Sequence, residues 1–133
     1  MLPRGTLDRP ALLLVKIGHD VAARGEDALA ELGLSGRQYM VLGVLSADTP
    51  PSQQELAGLC GLLPAQVVIV VDELERRGLA ERQRSETDRR RSVVSLTEAG
   101  ATALARADEL GKRLVAELDP QARQAAIDAL SRP

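Results

Sequence analysis

The chain has 133 residues, enough for one domain, and a net charge of −2 at neutral pH. Tyr39 is the only aromatic residue, which predicts an aliphatic core and excludes the aromatic stacking platforms of many proteins that bind single-stranded nucleic acids. The single cysteine and single histidine exclude an intramolecular disulfide and are too few for a metal site with the usual ligands. No apolar run approaches the roughly 20 residues of a membrane-spanning helix, so we expect a cytoplasmic protein without a membrane partner.

The first part of the chain is predicted to be helical. A helix is expected over residues 8–32, with Asp8 as its cap and Pro10 in its first turn. Its first turns are apolar nearly all round, which in a chain of this length favours burial against a second subunit. Residues 33–35 are expected to end this helix and to cap the next one, which is predicted to run from Arg37 to Ala47.

Two helices in close succession are predicted next. Ser52 and Glu55 have the spacing of a capping box, and the short helix that they open is expected to end at Gly61. Pro64 is expected in the first turn of a second helix that runs to about Arg77. A helix, a tight turn and a helix form a helix-turn-helix, whose second helix enters the major groove of DNA.

A two-stranded ribbon follows these helices. Gly78 is expected to end the preceding helix, and residues 79–84 and 93–96 are expected to be short and extended. Thr97 has the character of an N-cap for another helix. A helix-turn-helix followed by a two-stranded ribbon is typical of a winged helix.

The tip of the ribbon is strongly basic. Residues 76–91 contain seven arginines and three acids, a local charge of +4 that leaves −6 on the rest of the chain. A basic cluster on an exposed turn favours contact with phosphate groups. The alternative is a solvated hairpin whose charges only keep the protein soluble.

The last part of the chain is again predicted to be helical, from Glu98 to Leu118 and, after a restart at Asp119 and Pro120, to about Leu130. The predicted fold is therefore mainly α with a small two-stranded β-wing, an α+β winged helix-turn-helix. The DNA-binding region is expected over residues 34–97, with its recognition helix at about 64–77 and its wing at about 79–97. Dimerisation helices are expected over residues 8–32 and 98–131.

Five short motifs occur in order along the chain. They are Leu34-Ser35, Gln54-Glu55-Leu56-Ala57, the run from Val71 to Leu79, Asp88-Arg89-Arg90, and Val94 to Thr97 followed by Gly100. This ordered set resembles the MarR family of bacterial transcriptional regulators. The resemblance implies one domain over residues 1–133, a homodimer built from the terminal helices, and two winged-helix lobes that bind a pseudo-palindromic operator in double-stranded DNA.

The resemblance also assigns roles in DNA binding. Arg90 is expected to enter the minor groove and Asp88 to orient it, while the alternative for Asp88 is a turn residue that bonds its own backbone. The remaining candidates in this region are Arg77, Arg89, Arg91, Ser52 and Gln53. For Ser52 and Gln53 the alternatives are a helix cap and a solvated residue.

The recognition helix departs from the family pattern. Family members commonly carry Thr and Arg where this chain has Val68 and Ile69, which can touch a thymine methyl group but cannot form hydrogen bonds with base edges. Gln66 is the one polar side chain in the first two turns, and it could read an adenine. The alternative is that the β-branched residues serve packing and that DNA binding is weak or lost.

Three residues are candidates for binding an effector. His19, with Arg24 or Tyr39, is a candidate donor to a small anionic or phenolic molecule, but the favoured interpretation of His19 is a histidine of the helix surface or the dimer interface. Cys60 is expected to be a small buried hydrophobic residue. No catalytic set and no cofactor site are apparent, so an enzyme is not expected.

These observations predict a homodimeric transcriptional repressor that is released from DNA by a small molecule. The alternative is a winged-helix module with weak or no DNA binding that contacts protein partners through Val68 and Ile69.

Overall fold

The structure is a computed structural model that describes residues 5, 9–117, 120, 121, 124, 127, 128 and 131. Its elements are α1 (Pro10–Ala30), α2 (Gly36–Leu45), α3 (Gln53–Cys60), α4 (Pro64–Arg76), β1 (Ala80–Arg84), β2 (Ser92–Leu96) and α5 (Glu98–Ala116). The predicted α+β winged helix-turn-helix is therefore confirmed. The predicted cap at Asp8 and the helix boundaries at Leu118, Asp119 and Leu130 lie outside the described residues.

Side-chain caps start three of these helices, as the sequence predicts. The Ser35 hydroxyl accepts a hydrogen bond from the Gln38 backbone N–H at 3.1 Å, and the Ser52 hydroxyl accepts one from the Glu55 backbone N–H at 3.1 Å. In both cases the Gln or Glu side chain accepts a bond from the backbone N–H of the capping residue, which completes a capping box. The Thr97 hydroxyl caps α5 at 3.0 Å in the same manner, without the reciprocal bond.

The core is aliphatic and lies around α2, α3, α4 and β2. Side chains from all four elements are fully buried, and each is a leucine or a valine, as the near absence of aromatic residues predicts. The largest of them are Leu42, Leu56, Leu74, Val41, Val67, Val71 and Val94. The two strands pair antiparallel, with Ala80 opposite Leu96 and Arg84 opposite Ser92. The Val94 backbone N–H also donates to the Pro51 carbonyl at 3.0 Å, which attaches the wing to the start of α3.

Two glycines shape the junction between α4, the wing and α5. Gly78 has φ +69°, the left-handed conformation that ends α4 and turns the chain into β1. Gly100 is buried in the first turn of α5, where an added Cβ would overlap the Leu79 carbonyl and lie 2.9 Å from Cδ1 of Leu96. The close approach of α5 to the base of the wing therefore requires a residue without a side chain at position 100.

The first helix keeps apolar side chains on its surface in the single chain. Leu12 is 44% exposed and Val15 is 70% exposed. Among the described residues no single helix is long and apolar enough to cross a membrane; α3 and α4 pass that test only as a pair, and they meet at 110°.

Candidate nucleic-acid interface and cavity

Helix α4 divides its β-branched residues between the core and the surface. Val67, Val70 and Val71 are buried, whereas Val68 is 40% exposed and Ile69 is 58% exposed. Ala65 lies one turn before Ile69 and is exposed as well. We call Ala65, Val68 and Ile69 the apolar face of α4. Val68 and Ile69 are therefore available to a partner, and packing accounts for only part of the β-branched run.

The wing tip, residues 85–91, is a turn held by its own backbone. The Ser85 N–H donates to the Arg91 carbonyl at 2.9 Å, and the Arg91 N–H donates to the Asp88 carbonyl at 3.0 Å. The Asp88 carboxylate accepts a hydrogen bond from the backbone N–H of Arg90 at 3.0 Å. Asp88 therefore bonds the turn backbone, which is the alternative given above for this residue, and so fixes the backbone that carries Arg90.

Only part of the basic cluster carries unpaired charge. Arg91 contacts the Glu55 carboxylate at 3.3 Å, and Arg82 is paired with acids of α4, whereas Arg77 keeps its charge while it donates to the Gly33 carbonyl at 2.5 Å. Within the part of the chain that the structure describes, three exposed arginines of the ribbon form no ion pair and no side-chain hydrogen bond: Arg84, Arg89 and Arg90. We call these three the wing arginines. A count of charges along the sequence therefore overstates the charge that is available to a partner.

Arg82 joins the wing to both helices of the helix-turn-helix. Its guanidinium lies 2.6 Å from the Asp72 carboxylate and 3.4 Å from the Glu75 carboxylate, and it donates to the Gln53 side chain at 2.8 Å. A further bond of 3.4 Å reaches the Val68 carbonyl. The side chain is 24% exposed, so these charged contacts are partly shielded from water. Arg82 thereby offsets one of the two negative charges of Asp72 and Glu75 and holds the wing beside α4.

A cavity of about 740 Å³ lies between α1, α2 and α5. Most of its wall is apolar, and the lining residues include Val21, Leu29, Met40, Leu110 and Leu114. Its polar groups include the Tyr39 hydroxyl, which donates to the Asp108 carboxylate at 2.6 Å. Burial, together with this hydrogen bond to Asp108, raises the pKa of Tyr39 to about 12. The cavity can therefore receive an apolar molecule, and its polar groups are the Tyr39–Asp108 pair and the charged residues Glu26, Arg37 and Lys112.

Comparison with known proteins agrees with this architecture. A sequence model of the MarR family matches residues 32–91. The transcriptional repressor CouR, in a structure bound to a 23-mer DNA duplex, is 32% identical with a TM-score of 0.83, and the match covers 98% of this chain and 96% of that one. A MarR-family transcriptional regulator from Rhodococcus sp. RHA1 is also 32% identical, with a TM-score of 0.77 and coverage of 96% and 94%. The chain belongs to the MarR family.

Two further relatives of this MarR-family chain bear on its function. CouR from Rhodococcus jostii RHA1, in a structure bound to p-coumaroyl-CoA, is 28% identical with a TM-score of 0.83, and the match covers 96% of this chain and 93% of that one. A putative transcriptional regulatory protein for the hcr operon of Thauera aromatica is 36% identical over 77 residues. That match covers 58% of this chain and less than half, 46%, of the relative.

Several residues that are predicted to contact DNA form side-chain hydrogen bonds within this MarR-family chain. Ser52 is 5% exposed and caps α3, and Gln53 accepts the bond from Arg82, so the cap interpretation holds for Ser52. The Gln66 side-chain oxygen accepts a hydrogen bond from the Leu63 backbone N–H at 3.0 Å. A bidentate contact with adenine needs that oxygen, so Gln66 would have to give up the capping bond to read the base.

The predicted effector residues do not all meet at the cavity. Tyr39 lines it, but His19 and Arg24 are absent from its wall. His19 is exposed on α1, and Arg24 pairs with Glu117 across α1 and the end of α5. Sequence reasoning missed Asp108, whose role depends on a contact with a residue 69 positions away.

Cys60, Glu55 and the possible metal ligands are further reactive groups among the described residues. Cys60 is 7% exposed and burial raises the pKa of its thiol, which confirms the prediction of a small buried hydrophobic residue. The pKa of the Glu55 carboxyl is lowered by the bond from the Ser52 backbone N–H, with further contributions from the Ser52 side chain and Arg91. In the described ranges no group of three or more His, Cys, Asp or Glu residues is arranged to hold a metal ion.

Proposed function

We propose that this chain is a homodimeric transcriptional repressor that binds a pseudo-palindromic operator in duplex DNA and is released by a small molecule. The observation that supports this most directly is the exposed face of α4 next to a ribbon with three unpaired arginines. The chain is similar over nearly its whole length to a repressor whose structure contains a DNA duplex, and this similarity supports the same function. Such a regulator would act in the cytoplasm.

In this proposal the DNA contacts are divided between α4 and the wing. The apolar face of α4 enters the major groove, and Arg90 enters the adjacent minor groove from the turn that Asp88 holds. Arg89 and Arg84 contact phosphates from either side of that turn. Arg91, Ser52 and Gln53 support these contacts indirectly, because each has a partner in α3 or the wing.

The homodimer is proposed from the surface of α1. Leu12 and Val15 are exposed apolar side chains on α1, and within residues 9–117 they stay largely uncovered. Packing α1 and α5 against the same helices of a second copy would bury them. Two lobes joined in this way would bind half-sites one helical turn apart, roughly 34 Å.

The effector is proposed to occupy the cavity between α1, α2 and α5. An aromatic ring would suit the apolar wall, a phenolic group would meet the Tyr39–Asp108 pair, and an anionic group would meet the cations Arg37 and Lys112. A relative that binds p-coumaroyl-CoA, which carries both a phenol and anionic groups, supports this class. Because α2 belongs to the DNA-binding lobe and α1 and α5 to the dimerisation helices, a ligand there would change the spacing of the lobes.

Salt dependence of duplex binding tests the core of this proposal. Binding through phosphate contacts must weaken steeply as salt rises, because counterions are released on association. We expect the chain to sediment as a dimer and to show this dependence. Absent or salt-insensitive duplex binding would contradict the regulator and would favour the protein-interaction module.

The effector is tested separately with p-coumaroyl-CoA and free coenzyme A as probes. We expect p-coumaroyl-CoA to release the duplex and to raise the melting temperature of the protein. Gly25 lies on the cavity wall, with a position for Cβ 3.9 Å from Cδ2 of Leu114, so Gly25→Leu fills part of the space. That variant should keep DNA binding and lose the response; an unchanged response would place the effector elsewhere.

A further inference from the structure

The apolar face of α4 presents no hydrogen-bonding side chain. Its three members are an alanine, a valine and an isoleucine, and the nearest polar side chain on the helix, Gln66, has its oxygen bonded to the Leu63 N–H. The next exposed residue along the face is Asp72, and its carboxylate is paired with Arg82. Bidentate hydrogen-bond readout of a base is therefore unavailable to the first two turns of α4 in this conformation, and the Gln66 amide N–H is the one donor left there.

The major groove contains one apolar group on its base edges, the C5 methyl group of thymine. Val68 is 40% exposed and Ile69 is 58% exposed, so each has enough free surface to lose water on contact with a methyl group. Cytosine has only a C5 hydrogen where thymine has the methyl group, and the hydrogen-bonding groups of adenine, guanine and cytosine would lose water without gaining a partner on contact with Val68 or Ile69. The chemistry of this face therefore discriminates in favour of thymine.

The unpaired charges of the wing indicate which kind of partner covers the apolar face of α4. The wing arginines are exposed and unpaired, and Arg82 holds their ribbon to α4 through the Val68 carbonyl at 3.4 Å. An apolar face that shares its lobe with the unpaired guanidinium groups of the wing fits the major groove between two phosphate backbones better than it fits an apolar protein surface, because a partner of the second kind would leave those charges unused.

We propose that Val68 and Ile69 are specificity-determining residues that select operator half-sites by the C5 methyl groups of thymine. This inference rests on the proposed DNA-binding function and adds the chemical feature that the recognition helix reads. Val68 is held at its backbone by Arg82, so the contact is made from a fixed position.

The test compares one duplex in two chemical forms. The best duplex selected by the protein from a random-sequence pool is synthesised once with thymine and once with deoxyuridine throughout, which removes the methyl groups and keeps the base pairing. We expect the deoxyuridine duplex to bind about fourfold more weakly for each contacted thymine, the factor that corresponds to one buried methyl group. For the Val68→Ala/Ile69→Ala variant we expect this ratio to approach one.

A matched control separates the two parts of the DNA surface. Arg90→Ala should weaken binding of both duplexes and keep the wild-type ratio between them, because the minor groove lacks the methyl group. Since Val68 and Ile69 are exposed, their substitution should leave the melting temperature nearly unchanged, and Val68→Thr provides a second variant of the same shape.

Three results would overturn the inference. Only the last of them would also overturn the proposed DNA-binding function. Equal binding of the two duplexes by the wild type contradicts the thymine readout and leaves the DNA-binding function in place. A ratio that persists in the Val68→Ala/Ile69→Ala variant assigns the methyl readout to other residues. Failure to select any duplex, or capture of a protein partner that the double variant abolishes, overturns both the inference and the proposed function.

Discussion

The recognition helix and the wing are neighbours in the structure, yet they present opposite chemistry. The exposed face of α4 is apolar, whereas the ribbon carries three unpaired arginines. Arg82 lies between them, and its charge is engaged in ion pairs with Asp72 and Glu75 of α4. The difference indicates a division of labour, in which the wing supplies salt-dependent affinity and the helix supplies selectivity through shape and methyl contacts.

The largest expected effect comes from the junction that supports both regions. Gly100→Ala would place a methyl group against the Leu79 backbone carbonyl, and we expect it to destabilise the fold by about 3 kcal/mol. Gly43→Ala is the matched control, because an added Cβ there meets no atom within 4 Å and should leave stability equal or slightly higher. Denaturant unfolding measures both variants. Equal stability of the two would show that α5 does not approach the wing as closely as described.

Loss of one wing arginine should weaken DNA binding without affecting the fold. For Arg90→Ala we expect the dissociation constant to rise between about tenfold and a hundredfold, while the dimer and the melting temperature stay unchanged. Arg106→Ala removes the same charge from the exposed surface of α5 and serves as control. If the two variants bound the operator equally well, net charge and not the wing would account for affinity.

Breaking the link between the regions should have a smaller effect. Arg82→Ala leaves Asp72 and Glu75 unpaired on α4, and we expect DNA binding to weaken about tenfold because these carboxylates repel phosphate. Adding Asp72→Asn to that variant should restore part of the loss. A double variant no better than Arg82→Ala would mean that Arg82 acts only by positioning the ribbon.

The smallest effect is expected in the cavity, away from the DNA surface. Tyr39 is the only aromatic residue, so ultraviolet absorption reports its ionisation alone. We expect a pKa of about 12 in the folded protein, and a lower value, still above 10.0, in Asp108→Asn, because burial is the larger cause and persists. DNA binding by Asp108→Asn should stay unchanged. A Tyr39 pKa near 10.0 in the wild type would contradict the buried pair.

The raised pKa of Tyr39 makes the free energy of unfolding depend on pH. The folded pKa of Tyr39 lies above its ordinary value of 10.0, so its neutral form is the one that the fold favours. The contribution is fully present below pH 10.0 and is lost as pH rises towards about 12. Tyr39→Phe, which cannot ionise, should therefore flatten the pH dependence of the unfolding free energy in this range.

Local features of this fold were predictable, and long-range contacts were not. Ser35, Ser52 and Thr97 cap their helices as predicted because a cap depends on residues three positions apart. The sequence left open whether Val68 and Ile69 serve packing, and their exposure in the structure decides it. The sequence did not reveal which arginines are paired, because the partners of Arg82 and Arg91 lie on other elements. The cavity depends on the packing of α1 against α5, which local patterns cannot predict.

The division of labour between helix and wing is tested most directly by the salt dependence of duplex binding in two variants. The slope of the logarithm of affinity against the logarithm of salt concentration counts phosphate contacts. We expect the slope to decrease in magnitude by about 1 in Arg90→Ala and to match the wild type in Val68→Ala/Ile69→Ala. An unchanged slope in Arg90→Ala, or a reduced slope in the α4 variant, would contradict this account.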